Sequence, residues 1–319
     1  MASTGAPAVD APGRAAAPAP RTPRRGRTKG RASYVGAPLV LIAVNAVMFL
    51  LFFVWPAVIG LWYSFTSYTG VGEARFVGLD NYAALLADDS FYAALTRTLL
   101  FTVLVVPLTY VTALLAAVLL TSPYSRGTGV ARVIFFIPWL ISPIVSGVIW
   151  RWLFGENFGL VNFVITSLGG SAVPWQSNGD LSLMVVVLAA TWGGTAFAML
   201  LFIAALKSVP VSYYEAASLD GAGPWHKFRY ITLPGIAPTS FIVVLLGTIG
   251  AMKEYALIQA LNSGGPGSEN NLLVQYIYRT GFERAQIGYA SAASFVLMLI
   301  LMAVALAQLV VNRRREANR

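Results

Sequence analysis

The sequence has no cysteine and a single histidine, His226. The first absence excludes disulfides and thiolate metal sites, and the second leaves no histidine cluster for a metal or for acid–base work. No paired carboxylates stand at ligand spacing inside the apolar segments. A phosphate-binding run of the form Gly-x-x-x-x-Gly-Lys-Ser/Thr is also missing, so the chain is not expected to hydrolyse ATP itself. Charge is scarce: 11% of the 319 residues are Asp, Glu, Lys or Arg, against about 25% in soluble domains. The expectation is a chain that is not an enzyme and holds neither cofactor nor metal.

What is abundant is apolar side chain. Hydrophobic residues make up 57% of the chain and the mean hydropathy is +0.69. A soluble protein of this composition would lack the polar groups to cover its surface, so the chain reads as an all-α protein crossing a cell membrane several times. A crossing helix needs about 20 apolar residues. Six segments qualify, at roughly 36–62, 94–121, 133–154, 182–206, 236–259 and 286–311. Pro138 and Pro143 are expected to bend the third. Residues 1–34, rich in Ala, Pro, Gly and Arg, cannot offset their ordering entropy by burial and read as a disordered basic tail. Residues 312–319 read as a second basic tail.

Lys and Arg set the orientation. With the N-terminus in the cytoplasm, the inside segments hold the tail's seven, then Arg126, Arg132, Lys207, Lys227, Arg229, Arg313, Arg314, Arg315 and Arg319, 16 of the 22 basic residues. Only 4 of the 13 acidic residues, Asp10, Glu215, Asp220 and Glu316, fall on that side. This is a positive-inside pattern with both termini cytoplasmic. The net charge of +9 is then explained by topology and anionic lipid, and no nucleic-acid partner is needed.

The longest polar interval between spans, Glu215 to Pro234, falls on the cytoplasmic side. Tyr213 to Leu219 has helical propensity, Asp220-Gly221 is a turn signal, and Gly223-Pro224 starts a second helix with Trp225, Phe228 and Ile231 on one face. Helix, sharp turn and helix make a compact knob that fits a groove on a partner. A loop that merely connects two spans is the plainer reading.

Glu215-Ala-Ala-x-x-Asp-Gly-Ala222, with Phe228, Ile231 and Leu233-Pro234, resembles the EAA loop of ABC importer permeases in spacing and in position between the fourth and fifth spans. Phe76-Val-Gly-Leu-Asp-Asn-Tyr82, Gly264-Gly-Pro266 and Gly288-Tyr-Ala-Ser-Ala292 resemble the carbohydrate branch, the MalF-like and UgpA-like permeases. The resemblance runs over residues 35–311, and it implies a type I importer permease with a core at 92–311 and a coupling loop at 207–236. It also implies partners: a cytoplasmic ABC ATPase dimer, a second permease subunit and an extracytoplasmic solute-binding protein. Glu215, Ala216, Ala217, Asp220, Gly221 and Ala222 would engage the ATPase, with Glu215 as the coupling glutamate and Gly221 as the turn glycine. A sugar would be the cargo.

Intramembrane polar and aromatic groups mark the path of a transported molecule. The fourth span carries Thr191-Trp-Gly-Gly-Thr-Ala-Phe197, and the fifth carries Lys253-Glu254. Two adjacent residues point about 100° apart on a helix and make a poor pair. Carried over from the resemblance, the substrate path would involve Gly193, Gly194, Phe197, Ala251 and Glu254, although close helix packing is the alternative role for the glycines. Ser142, Ser146, Tyr289, Ser291 and Ser294 are weaker candidates. The competing function is an ion-coupled secondary transporter, which is ordinarily a larger bundle with internal repeats.

Overall fold

The computed structural model describes residues 36–122 and 128–317, together with residues 2 and 5. The tail expected over 1–34 otherwise lies outside the described residues. Two compact units are distinguished, 1–55 and 56–319. The first holds α1 (Gly36–Phe49), followed by a π turn at Leu50–Val54. Asn45 donates its side-chain amide to the Leu41 carbonyl at 3.1 Å, so even the one amide in this apolar helix is satisfied within it.

The chain continues through α2 (Trp55–Tyr63), α3 (Asp80–Leu86), α4 (Asp89–Thr121), α5 (Thr128–Leu140), α6 (Pro143–Leu153), α7 (Leu160–Ser167) and α8 (Gly179–Ser208). It ends with α9 (Val211–Leu219), α10 (Pro224–Lys227), α11 (Leu233–Gly235), α12 (Ala237–Met252), α13 (Ala256–Leu261), α14 (Leu273–Tyr278) and α15 (Ile287–Ala317). No strand occurs among the described residues, as expected where hydrocarbon cannot satisfy an open sheet edge. Four runs are long and apolar enough to cross a membrane: Leu39–Tyr63, Asp89–Thr121, Gly179–Ser208 and Ile287–Arg315. Two bent pairs, Gly129–Leu140 with Pro143–Leu153 and Pro224–Gly235 with Ala237–Met252, bring the number to six when each counts as one crossing.

Within the second unit, the directions of the spans follow from side-chain pairs. Arg97 meets Asp180 at 3.7 Å and Thr112 meets Thr195 at 2.8 Å, so α4 and α8 run parallel. Tyr110 meets Ser240 at 2.9 Å, while a Cβ on Gly247 would touch Val106, so α12 runs against α4. Gln308 donates to Thr248 at 2.9 Å, and Tyr289 at the start of α15 reaches Asp88 at the start of α4, so α15 also runs against α12. The loop between α8 and α12 and the C-terminal end of α15 therefore share one end of the bundle. Alanines Ala113, Ala117, Ala196 and Ala198 are buried along α4 and α8, the small residues that let membrane helices approach closely.

The breaks differ from the expectation in instructive ways. The third span bends by 101°, at Pro143 rather than at Pro138, which stays inside α5. Proline pushes its predecessor out of the helical region, and Ser142 is accordingly extended at φ −56°, ψ 141°. The span expected over 236–259 is not one helix: α12 ends at Met252 and α13 starts at Ala256. Lys253 and Glu254 thus sit at a break instead of within a helix. At the other end, α15 runs through Ala317, past the expected start of a tail at 312, with Arg314 and Arg315 in its last turn, where cations complement the helix dipole.

The end of the bundle opposite the α8–α12 loop is closed by one carboxylate. Asp88 caps α4 by accepting the Ser90 amide at 2.8 Å, and its other oxygen accepts the Tyr276 hydroxyl at 2.5 Å and the Tyr289 hydroxyl at 2.9 Å. It thereby ties α4, α14 and α15 together. Burial works against the charged form, but these hydrogen bonds outweigh it and hold the Asp88 carboxyl below the ordinary carboxylate range. A folded-state pKa below the unfolded value of about 3.9 stabilises the fold above that value, and the gain is lost as pH falls through the folded pKa. Asp88→Asn keeps an acceptor for the cap and removes the charge. It is expected to cost about 1–2 kcal/mol at neutral pH, seen as a lower melting midpoint in detergent, and that deficit against the parent is expected to shrink as pH falls below about 4. A deficit of the same size at pH 7 and pH 3 would remove the charge from the account.

Candidate functional site

A cavity of about 550 Å³ lies between α4, α5, α6, α8, α12 and α13. Val105 and the pair Gly193-Gly194 line it, and each stands near the middle of its 33- or 30-residue helix. At 1.5 Å of rise per residue, this places the cavity at mid-depth in the bundle. All five residues expected on the path, Gly193, Gly194, Phe197, Ala251 and Glu254, are among its lining. Lys253 is exposed and does not line it.

The two glycines have separate roles. A Cβ on Gly194 would stand 3.3 Å from Thr109 Cγ2, so this glycine lets α8 close onto α4. A Cβ on Gly193 would meet nothing within 4 Å, so its missing side chain leaves cavity space open. Across that space, Phe197 stacks on Trp139 with ring centroids 4.8 Å apart and planes 19° from parallel. Glu254 brings the one ionisable side chain among the described lining residues. Its Oε1 accepts the Tyr255 amide at 3.0 Å and the Leu257 amide at 2.9 Å, which starts α13. Ser146, buried on α6, also lines the cavity, as does Thr109, whose buried hydroxyl lacks a hydrogen-bond partner among the described residues.

Other candidates are used elsewhere. Tyr289 serves Asp88, and Ser294 returns its hydroxyl to the Ala290 carbonyl at 2.9 Å. Trp139, Thr109 and Phe101 were missed in the sequence because nothing local distinguishes them from lipid-facing or core residues. For Trp139 the one available signal was its position beside the Pro138–Pro143 pair.

The second feature is the knob between α8 and α12. Gly221 takes φ +75°, and the amides of Gly221 and Ala222 return to the carbonyls of Ser218 and Ala217 at 3.1 and 2.8 Å. This is a glycine helix stop of the Schellman kind. Lys227 donates to Ser218 Oγ at 2.6 Å, and the Tyr214 hydroxyl meets Thr232 Oγ1 at 3.0 Å, which clamps the two arms together. Glu215, Ala216, Asp220 and Gly221 are exposed, while Ala217 and Ala222 are partly covered. Leu219, Trp225 and Tyr230 are 90%, 68% and 70% exposed, large apolar groups left uncovered on the knob, such as mark an interaction surface. The base of the knob is fixed: Tyr214, Phe228, Ile231 and Leu233 pack on a buried cluster that includes Ala113, Phe202, Val209 and Ile236.

Residues 109–316 match the family described as "Binding-protein-dependent transport system inner membrane component". The sn-glycerol-3-phosphate transport system permease protein UgpA of Yersinia enterocolitica is 34% identical over 273 residues, covering 85% of this chain and 92% of its own. Its counterpart in Agrobacterium fabrum is 32% identical over 271 residues, with coverages of 84% and 91%. In three dimensions the chain resembles one from a bacterial alginate ABC transporter in complex with alginate pentasaccharide-bound periplasmic protein. The TM-score is 0.78 at 22% identity, over 88% of this chain and 95% of that one. A second structure, of a bacterial ABC transporter involved in the import of the acidic polysaccharide alginate, gives 0.74 at 22% identity, with coverages of 88% and 96%. At that identity the likeness speaks for the fold.

The cavity's floor depends on a third glycine. A Cβ on Gly147 would stand 2.6 Å from the Leu257 carbonyl oxygen and 2.7 Å from Ala260 Cβ, so α6 and α13 touch only because that side chain is absent. Gly147→Val is expected to force them apart at a cost of about 1–3 kcal/mol. A drop in the detergent melting midpoint is the expected reading, and a midpoint equal to the parent's would mean that this contact is not what holds the floor.

Proposed function

Because the chain belongs to the family of binding-protein-dependent transport system inner membrane components, we propose that it is the permease subunit of an ATP-driven saccharide importer, with its mid-depth cavity on the substrate path. The protein is a multi-pass inner-membrane component of a transport system and not an enzyme. The observation that carries the reading is the cavity itself. At the middle of the spans it combines an aromatic pair, Trp139 and Phe197, with an open glycine face at Gly193 and hydrogen-bonding groups at Glu254, Thr109 and Ser146. Apolar rings take the C–H face of a sugar, and the sparse polar groups fix its hydroxyls. A polyol phosphate and a polysaccharide, the cargoes in the names of the relatives, support the saccharide class.

In this reading residues 92–311 are the transport core and 207–236 the coupling loop, with both termini in the cytoplasm. The partners are a cytoplasmic ABC ATPase dimer, a second permease subunit, and an extracytoplasmic binding protein that delivers the cargo. Glu215, Ala216, Ala217, Asp220, Gly221 and Ala222 form the part of the knob that seats in the ATPase. The knob is suited to transmit force because its base is packed on α4, α8 and α12, the helices that line the cavity.

Two substitutions test the two halves. Glu215→Lys is expected to lower ATP-dependent uptake on the order of tenfold or more while the chain still inserts and is still cleaved at engineered loop sites as the parent is. Undiminished uptake would remove the knob from the coupling path, and uptake that persists without ATP would favour an ion-coupled carrier. Gly193→Trp fills the open face and is expected to abolish uptake while binding-protein docking, measured by co-purification, persists. Normal uptake by that variant would take the cavity off the path.

A further inference from the structure

The relatives carry anions by name, a phosphate monoester and an acidic polysaccharide. The described lining of the cavity in this chain offers no cation to such a cargo. Among the cavity's described lining residues none is Lys, Arg or His, and Glu254 is the one ionisable side chain. Lys253 beside it points to the exterior and is exposed. The ion pair recorded among the described residues is Arg97–Asp180, so Glu254 has no cationic partner there. Its Oε1 is committed to the backbone of α13, and no hydrogen bond among the described residues engages its Oε2. The rest of the wall is largely apolar, with Phe101, Leu246 and Leu257 around the hydroxyls of Thr109 and Ser146. Low-dielectric walls around a single charge focus its field into the space they enclose.

We infer that Glu254 is a specificity-determining residue that rejects anionic saccharides and admits neutral or amino-bearing ones. This inference rests on the cavity's being the substrate path. A carboxylate oxygen accepts a hydrogen bond from a sugar hydroxyl, and a stronger one from an ammonium. It repels a carboxylate or phosphate brought to the same place, and none of the described lining residues supplies a counter-ion to relieve the repulsion. The same side chain also caps α13, so its removal must separate charge from cap. Glu254→Gln does so, because an amide oxygen still accepts the two backbone N–H groups.

The test uses the full transporter, with partner permease and ATPase, in nanodiscs without binding protein. Saturation-transfer NMR reads binding of three probes on one ring: glucose, glucosamine and glucuronate. Signals that Gly193→Trp removes are assigned to the cavity. In the parent, glucuronate is expected to bind about tenfold more weakly than glucose and glucosamine at least as well as glucose. Glu254→Gln is expected to bring the glucuronate-to-glucose ratio to within about twofold. Raising the salt concentration is expected to narrow the parent's gap but not the variant's. Equal binding of glucose and glucuronate by the parent, or an unchanged ratio in Glu254→Gln, overturns charge selection while leaving the cavity a sugar site. If no probe gives a signal that Gly193→Trp removes, the path reading and this inference fall together.

Discussion

The close packing of α4 against α8 is the contact on which the rest of the second unit depends. The two helices run parallel, with a threonine pair at 2.8 Å and Gly194 seated on Thr109. Lipid offers little hydrophobic drive for helix association, so the attraction comes from close contact over many atoms and from satisfied polar groups. A larger side chain at Gly194 would meet Thr109 and hold the axes apart. The buried cluster at one end, which seats the knob, and the cluster around Phe101 and Ile258 at the other both use these two helices. The cavity is the volume left where α5, α6 and α12 fail to close over the pair.

That arrangement explains how a loop at one end can act on a cavity at mid-depth. Phe202 and Ile203 belong to the cluster under the knob, and Gly193 and Phe197 lie one to three helical turns earlier on the same α8. Where the chain returns from the knob, Ile236 is fully buried at the 66° bend between α11 and α12, and Val243 serves both cluster and cavity. A helix transmits displacement along its axis with little loss because its backbone hydrogen bonds are internal. In the coupling proposed above, tilting the knob would tilt the walls of the cavity, without a chain of side-chain rearrangements between them.

Much of this was legible in the sequence, for identifiable reasons. Hydropathy placed the spans, since an apolar run of fixed length is the strongest signal a membrane chain carries. The knob was legible because its shape is set locally: Gly221 supplies a positive φ that few other residues tolerate, and Pro224 starts the next helix. The glycine pair and Phe197 stood out as a local pattern on one helix. Trp139 did not, because its role comes from stacking on a ring 58 positions away in sequence. The Asp88 junction was invisible for the same reason, since its tyrosine partners lie 188 and 201 residues further along. The break after Met252 is not legible because Lys253 and Glu254 have ordinary helix propensity.

That break shows why one residue carries so much of the site's chemistry. Ending a helix deep in a membrane bundle exposes backbone groups that lipid cannot satisfy. Here the amides of Lys253 and Glu254 turn back to the carbonyls of Gly250 and Ala251 at 3.1 and 3.2 Å, which closes α12. The amides that open α13 are met by Glu254 Oε1. A carboxylate suits this place because one of its oxygens can take two backbone donors while the other stays available. Holding the break together fixes the side chain's rotamer, and the fixed rotamer holds a carboxylate at the edge of the cavity. An aspartate would be one methylene short of the same reach, and an alanine would leave the start of α13 without its acceptor. The structural requirement of the break and the charge presented to the cavity are therefore met by a single side chain, whose two roles only an isosteric neutral replacement can separate.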